Sequence, residues 1–379
     1  MRFAILAHSL RSGGGISVGQ NIIAALKRIA PQHTYLCTIP AGLGYEDVCR
    51  QIPDCYSITY NHKGGLLKRC LYDVFRLPKI VEEFRPDVIL GLAGWGLLKP
   101  SSKQTILPMN SHLFYPQEHS RNSSLKSMFL RRCRIWYLNR SLAQSQLLLS
   151  QTPITRRRLI ESFQYRGQTA ICPPAVSIFL GDRKKDQKIP KSLIPYTHRM
   201  KLFCLTKYYP HKNLEIIVES FNKFRKELKD VVVIITIAEN QHPNVKKLFH
   251  LIKKLELSNQ IINVGPLSQL ELASYYKNCD ALLLPTLLES FSSTYLEAMH
   301  FGLPILTSDL DFAHYVCKDA ALYFNPLDEE SIKNSIINIK NNPELANNLA
   351  ATGLKNLKSH FKSWDEIVGD LITKLEQLV

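Results

Sequence analysis

Two doubly wound α/β domains, each a parallel sheet covered by helices, are the fold class this sequence predicts, on three observations. Short β-rich apolar runs alternate with amphipathic helical stretches along the chain, the pattern of repeated βαβ units. The alternation lapses once, over 176–200, where the charged run at 184–188 and the breaks at Pro190 and Pro195 leave no sustained period, and then restarts. A chain of 379 residues also suits two domains of roughly 100–200 residues each.

In order, residues 3–7 read as the first strand, followed by Gly13-Gly14-Gly15 and a helix from about 17 to 30. Residues 87–92 and 105–108 read as further strands, and 66–84 and 124–138 as helices. After the linker, strands are expected at 201–206, 231–237, 261–264, 281–285, 304–307 and 321–324, with helical stretches between them such as 213–228 and 270–277. The final segment is apolar at Ile367, Val368, Leu371, Ile372, Leu375 and Leu378, a helical stripe that can dock back on the first domain. The domains are therefore expected at 1–190, with the 362–379 helix packing back on it, and at 191–361. Two such sheets facing one another leave a cleft at the carboxyl ends of their strands, where folds of this class bind ligands.

Hydrophobic residues at 45% and charged residues at 21% exclude a disordered or fibrous chain. Apolar runs stop at about eight residues, as at 281–288, against the ~20 that a membrane-spanning helix requires. The apolar stretch at the N-terminus is too short for a secretory signal. Nine cysteines, scattered without metal-ligand or paired spacing, fit free thiols in a reducing compartment. A cytoplasmic protein is expected.

The net charge of +16 is one-sided. Residues 1–200 carry 29 Lys+Arg and 11 Asp+Glu, hence +18, whereas 201–379 carry 19 and 21, hence −2. Clusters at Lys68-Arg69, Arg131-Arg132-Cys133-Arg134, Arg156-Arg157-Arg158 and Arg183-Lys184-Lys185 suit an acidic partner. Each basic residue near an anionic leaflet adds about 1 kcal/mol of attraction. No zinc-finger spacing, RNP-like aromatic motif or basic zipper accompanies them, so nucleic acid is not expected. An anionic membrane surface is.

The strongest constellation is Pro285-Thr286-Leu287-Leu288-Glu289-Ser290-Phe291-Ser292-Ser293-Thr294-Tyr295-Leu296-Glu297-Ala298-Met299. A buried strand here ends in a polar loop that opens a helix. Ser292, Ser293 or Thr294 can cap that helix, whose free N–H groups and positive dipole end make an anion site, most naturally for phosphate. Glu289 and Glu297, on either side, can accept hydrogen bonds from sugar and ribose hydroxyls. Gly302 and Pro304 end the helix. Upstream, Leu205-Thr206-Lys207-Tyr208-Tyr209-Pro210-His211-Lys212-Asn213 places two lysines on another strand-to-helix turn, where they can neutralise a leaving diphosphate.

These residues resemble a known family. The stretch 201–326 is similar to the C-terminal donor domain of GT-B glycosyltransferases of the large retaining family 4 (glycosyltransferase group 1). The paired-Glu motif is Glu289 and Glu297, followed by Ala-Met-X-X-Gly-Leu-Pro-Ile at 298–305. The basic pair is Lys207 and Lys212, in the Pro-X-Lys-Asn context at 210–213. A weaker resemblance runs from the glycine loop to the terminal helix. It implies that Lys207 and Lys212 hold the donor diphosphate, Glu297 the ribose and Glu289 the sugar at the reacting centre. Ser290, Phe291, Ser292 and Ser293 would offer donor contacts from the loop and helix start. The family usually has Gly at positions 290 and 292 and Arg at 207, where this chain has Ser, Ser and Lys.

In the first half, the Gly13-Gly14-Gly15-Ile16-Ser17-Val18-Gly19 loop contains a G-x-G, but the last glycine a dinucleotide fingerprint needs falls at 19 rather than 18. The resemblance instead assigns Gly14 and Gly15 to the border of donor phosphate and acceptor, and His112 to the donor sugar. Asp309-Leu310-Asp311 reads as a helix start with Asp309 as N-cap rather than as a metal site.

The resemblance implies a metal-independent, retaining hexosyltransferase. It would use a nucleotide-diphosphate sugar and a lipid-linked or saccharide acceptor in cell-surface polysaccharide or glycolipid synthesis, as a peripheral protein at the inner face of the membrane. Retention by front-side attack and by a covalent intermediate both remain open. The rival readings are a nucleotide-sugar epimerase of the same fold and a catalytically silent binding protein.

Overall fold

A computed structural model describes the chain except residues 12, 62–64, 93, 95, 116–124 and 181–187 and the side chains of 66, 67 and 125–127. The basic run Arg183-Lys184-Lys185 and the first residue of the expected 124–138 helix lie outside the described residues. The chain divides into two compact units, one from Met1–Gln117, Ser123–Ser177 and Lys362–Val379, the other from Ile178–Phe361.

The first unit is built on a seven-stranded parallel sheet in the order β3-β2-β1-β4-β5-β6-β7. Its strands are β1 (Arg2–Leu6), β2 (Thr34–Pro40), β3 (Cys55–Tyr60), β4 (Val88–Leu92), β5 (Lys103–Leu107), β6 (Leu147–Ser150) and β7 (Gln168–Ile171). Its helices are α1 (Gly14–Ile29), α2 (Tyr45–Cys49), α3 (Gly65–Leu71), α4 (Leu77–Phe84), α5 (Leu125–Leu142) and α6 (Pro153–Phe163). Sequence periodicity marks β1, β4 and β5 but not the other four. β6 and β7 have only four residues each, β3 is an edge strand with no fully buried residue, and β2 interrupts its apolar residues with Thr38. Their pairing is decided by neighbours distant in sequence.

The helix expected over 66–84 is α3, a π turn at Tyr72–Arg76 and α4. Pro78 falls in the first turn of α4, where a missing N–H leaves no helical bond unmade. The wide turn before it accommodates the ring. Tyr72, Leu77, Val81 and Phe84 then pack against Ala4, Leu6, Leu36 and Ile89 of the sheet.

The terminal helix of the chain, Trp364–Glu376, belongs to this unit. It buries Ile367, Val368, Leu371, Ile372 and Leu375. It is tied to the end of α1 and the start of β2 by Arg28 Nε donating to Asp365 at 3.0 Å and by His33 Nε2 against Glu376 Oε1 at 3.0 Å.

The second unit has a six-stranded parallel sheet in the order β10-β9-β8-β11-β12-β13. The strands are β8 (Met200–Cys204), β9 (Val231–Ile235), β10 (Ile261–Asn263), β11 (Ala281–Leu284), β12 (Ile305–Ser308) and β13 (Ala321–Phe324), at the six expected places. The helices are α7 (Leu214–Lys223), α8 (Pro243–Lys254), α9 (Gln269–Asn278), α10 (Ser293–Phe301), α11 (Asp311–Cys317), α12 (Glu329–Asn341) and α13 (Pro343–His360). The terminal helix of the first unit is α14. Strands such as Val-Val-Val-Ile-Ile at β9 are buried at every residue, as in a parallel sheet covered on both faces. In both sheets the strand order reverses beside the first strand, between β1 and β4 and between β8 and β11. Each unit thus carries one topological switch point.

Among the described residues no helix is long and apolar enough to cross a membrane.

Candidate functional site

The switch point of the second sheet brings the two strongest motifs together. β8 and β11 are paired in parallel, with Ala281 opposite Leu202 and Leu282 opposite Phe203, so the loops leaving their carboxyl ends emerge side by side. Those loops are 205–213 and 285–292. They are stitched by the Leu287 N–H donating to the His211 carbonyl at 2.7 Å and by the Thr286 hydroxyl donating to the same oxygen at 3.3 Å.

Asn213 fixes the first loop. It is fully buried, holds a left-handed backbone at φ 58°, and donates from Nδ2 to the carbonyls of Pro285 at 3.2 Å and Pro326 at 2.7 Å. A left-handed residue is needed where the 3-10 turn Pro210–Lys212 passes into α7. Asparagine tolerates that region better than most residues. No local sequence signal marks Asn213 for this tying role, because Pro285 and Pro326 are distant in the chain.

Lys212 extends from this turn to pair its ammonium with the Glu289 carboxylate of the second loop. Lys207, earlier in the same loop, is partly buried and pairs with no carboxylate among the described residues. Burial lowers its pKa, so a charged Lys207 gains from any anion that reaches it.

The helix start lies in the same loop region. Ser292 is the N-cap of α10, in extended conformation, and its side chain makes no capping bond. The first N–H groups of α10 therefore lack the usual side-chain acceptor. Neither Ser290 nor Ser292 has positive φ. The loop is thus set without the left-handed residue that glycine would allow. Ser290, Phe291 and Ser292 are buried, and Ser293 opens the helix. Gly302 ends it at φ 69°.

Glu297 sits deeper than the sequence suggests, at 6% exposure. Its Oε2 accepts from the Tyr276 hydroxyl of α9 at 2.7 Å. The Tyr276 ring is stacked on Phe301 and edge-on to Phe203. In this apolar surround, burial pushes the Glu297 carboxyl up to about 7, against a smaller opposing effect of the Tyr276 bond. Tyr276 went unnoticed in the sequence, because its partner lies on the next helix.

The expected cap of α11 is corrected. Leu310 is the N-cap, the helix begins at Asp311, and Asp309 instead meets His314 Nε2 at 2.5 Å. The backbone N–H of Asp309 is already used by the Phe324 carbonyl at 2.8 Å, which holds the residue to β13 and out of the cap position.

Gly14, Gly15 and His112 belong to the first unit. Gly13 caps α1 at φ 54°, Gly14 is the first helical residue, and a Cβ at either would meet nothing within 4 Å. Gly19 differs, since a Cβ there would lie 2.5 Å from the Tyr45 hydroxyl. The first two glycines leave open space, and the fourth serves packing. His112 lies in the 3-10 turn Ser111–Leu113 beyond the carboxyl end of β5, and its carbonyl accepts from Arg131 Nε at 2.7 Å.

The first sheet's switch point also carries a cluster the sequence reading missed. His8, fully buried just past β1, shares hydrogen bonds with Thr38 Oγ1 and Asp73 Oδ1, both at 3.0 Å. Arg69 Nε donates to the other Asp73 oxygen at 2.6 Å. Burial lowers the His8 pKa, against the opposing pull of Asp73. The visible signal was a histidine two residues beyond a buried strand.

Residues 185–356 match the family model of glycosyl transferases group 1. Over 160 residues, 41% of this chain, the sequence is 30% identical to the O-antigen chain mannosyltransferase RfbU of Salmonella typhimurium, covering 44% of that protein. The chain spans under half the length of the curated relatives it matches. The sucrose-phosphate synthase of Thermosynechococcus elongatus superposes over 100% of this chain and 99% of its own, with a TM-score of 0.78 at 15% identity. Anabaena HepE, solved with UDP and glucose, superposes over 100% of both chains with a TM-score of 0.73 at 14% identity. The fold is that of GT-B glycosyltransferases, and the segment 185–356 is similar to glycosyl transferases group 1.

Proposed function

We propose that this chain is a retaining glycosyltransferase that moves a hexose from a nucleotide-diphosphate sugar to a saccharide or lipid-linked acceptor. One observation carries the reading: Lys207, Lys212, Glu289 and the uncapped start of α10 all lie on the two stitched loops at one switch point. Two ammonium groups and a row of N–H donors suit a diphosphate whose negative charge grows as the bond to the sugar breaks. These groups do the work a divalent cation would otherwise do, so transfer needs no added metal.

Lys207 and Lys212 neutralise the leaving diphosphate, and Glu289, already held by Lys212, faces the sugar. Glu297 takes the ribose hydroxyls. Ser290, Phe291, Ser292 and Ser293 supply N–H and hydroxyl contacts. Gly14, Gly15 and His112 serve the acceptor side and the donor sugar from the first unit. The C1–oxygen bond to the diphosphate breaks, a bond from C1 to the acceptor oxygen forms with retained configuration, and the acceptor's hydroxyl proton ends on a departing phosphate oxygen. Lys212 shifts its ammonium from Glu289 toward the departing oxygens. The likeness to RfbU, named for O-antigen chains, supports an acceptor in cell-surface polysaccharide or glycolipid assembly.

A basic, aromatic helix face supports a membrane-proximal acceptor. On α5, Phe129 at 66% and Trp136 at 58% exposure stand on one stripe with the exposed Arg132 and Arg140. Aromatic rings beside guanidinium groups suit the interface of an anionic leaflet. We place the protein at the inner face of the membrane.

The test is a panel of UDP-, GDP- and ADP-linked hexoses screened for melting-temperature shifts and then for hydrolysis and transfer. One donor is expected to raise the melting temperature and to be consumed slowly, with consumption lost in Glu289→Gln while the fold is kept. A panel in which no donor shifts the melting temperature would overturn the reading.

A further inference from the structure

Three cysteines that stand apart in sequence meet in the first unit. Cys37 lies in β2, Cys49 ends α2 and Cys55 opens β3, and their sulfur atoms all lie within 4.8 Å of one another. Cys37 and Cys49 are buried and Cys55 is partly exposed. The sequence spacing gave no hint of this, because the strand order β3-β2-β1 is what carries Cys55 beside Cys37.

We propose that Cys37, Cys49 and Cys55 bind one Zn²⁺ ion as a three-thiolate structural site. The geometry fits the ion. Tetrahedral zinc with Zn–S bonds of about 2.3 Å sets its sulfurs about 3.8 Å apart, and the Cys37 and Cys55 sulfurs are already 3.7 Å apart. Binding forms three Zn–S bonds and releases three thiol protons, leaving one net negative charge on the centre. The same thiolates on Cu⁺ would carry two, a heavier load for a group of which two members are buried. Cys55 is the partly exposed member of the three, and a water reaching the ion from solvent would complete the tetrahedral shell.

The site also joins two elements at the edge of the sheet. β3 is the edge strand of its sheet and has no fully buried residue. α2 is five residues long, too short to persist by its own hydrogen bonds. An ion shared by β2, α2 and β3 would staple both to the sheet. This inference is independent of the proposed transfer reaction.

The test uses the full chain, reduced, stripped with a chelator and titrated with Zn²⁺ against a chromophoric competitor. Wild type should bind one equivalent with release of three protons. Cys55→Ser should bind more than about tenfold more weakly, and Cys37→Ser with Cys55→Ser should not bind. Cys172→Ser, which removes a buried thiol elsewhere, should bind as wild type. Chelator should lower the melting temperature of wild type but not that of Cys55→Ser, and the two should then coincide, which shows the variant to be folded. Equal zinc uptake by wild type and the double variant would overturn the proposal. So would a Cys37–Cys55 disulfide in protein isolated with reductant.

Discussion

The ammonium of Lys212 is paired with the carboxylate of Glu289 across the two loops that leave β8 and β11, and only 19% and 15% of the two side chains are exposed. At that depth, removing one partner strands the other charge in a poorly solvated place. The two groups satisfy each other, and under the proposed function an incoming diphosphate would compete with Glu289 for the Lys212 cation.

The double variant Lys207→Ala with Lys212→Ala should remove the melting-temperature shift produced by the nucleoside diphosphate of the preferred donor. Transfer should fall by about 10²-fold or more. Differential scanning fluorimetry with and without the diphosphate checks it, and an unchanged shift would count against both lysines.

The Glu297 contribution to stability should fall as pH rises from about 4.5 to 7, while that of buried His8, whose pKa is lowered, runs the other way. Burial raises the Glu297 carboxyl from 4.5 to about 7 in the folded chain, so across that window the folded state holds a proton that the unfolded state has released. The stabilisation is complete below the unfolded value and lost as pH rises through the folded one. The gap corresponds to about 3 kcal/mol. Glu297→Gln keeps an acceptor for Tyr276 and should flatten this slope in urea unfolding measured from pH 4.5 to 7.5. A slope equal to that of wild type would refute the assignment.

Asn213→Ala should cost about 2–4 kcal/mol, since it orphans the Pro285 and Pro326 carbonyls and puts alanine at φ 58°. Asn213→Gly relieves the backbone but not the lost bonds, and should fall between the two. Denaturant midpoints give the order directly.

Gly14→Ala and Gly19→Ala separate ligand approach from packing. A Cβ at Gly19 would press on the Tyr45 hydroxyl at 2.5 Å and on Leu10 at 2.7 Å, so this variant should lose about 1–3 kcal/mol. Gly14→Ala meets nothing within 4 Å and should keep or slightly raise stability. Its transfer rate should nevertheless drop, because the proposed ligand comes close there. Full activity in Gly14→Ala would remove that glycine from the site.

Binding to anionic vesicles should weaken with added salt. Replacing Arg132 and Arg140 by Ala should weaken it by about 1 kcal/mol per residue. Phe129→Ala with Trp136→Ala should weaken it at all salt concentrations, since burial of the rings is not screened. Vesicle co-sedimentation decides it, and equal association with neutral vesicles would end the membrane reading.

Some of this was legible in the sequence because the interactions are local. The six strands of the second unit are built on short apolar runs, and the Glu289, Glu297, Lys207 and Lys212 motifs follow strands, where a parallel sheet places its ligand-binding loops. The break of the 66–84 helix needed the three-dimensional packing of Tyr72 and Leu77 on the sheet, although Pro78 hinted at it. Asp309 was assigned to a cap from local pattern alone, and its bonds to β13 and His314 decided otherwise.

By itself the sequence determined the class of each unit, the excess positive charge of residues 1–200 and the chemistry offered at the loop ends, because periodicity, composition and residue type are properties of neighbouring positions. Only the tertiary structure decided that Lys212 meets Glu289, that Glu297 is buried under Tyr276, and that Cys37, Cys49 and Cys55 converge. Strand order sets each of these meetings. A parallel sheet takes its order from long crossover connections, whose pairing is fixed by burial across the whole domain rather than by any local run of residues.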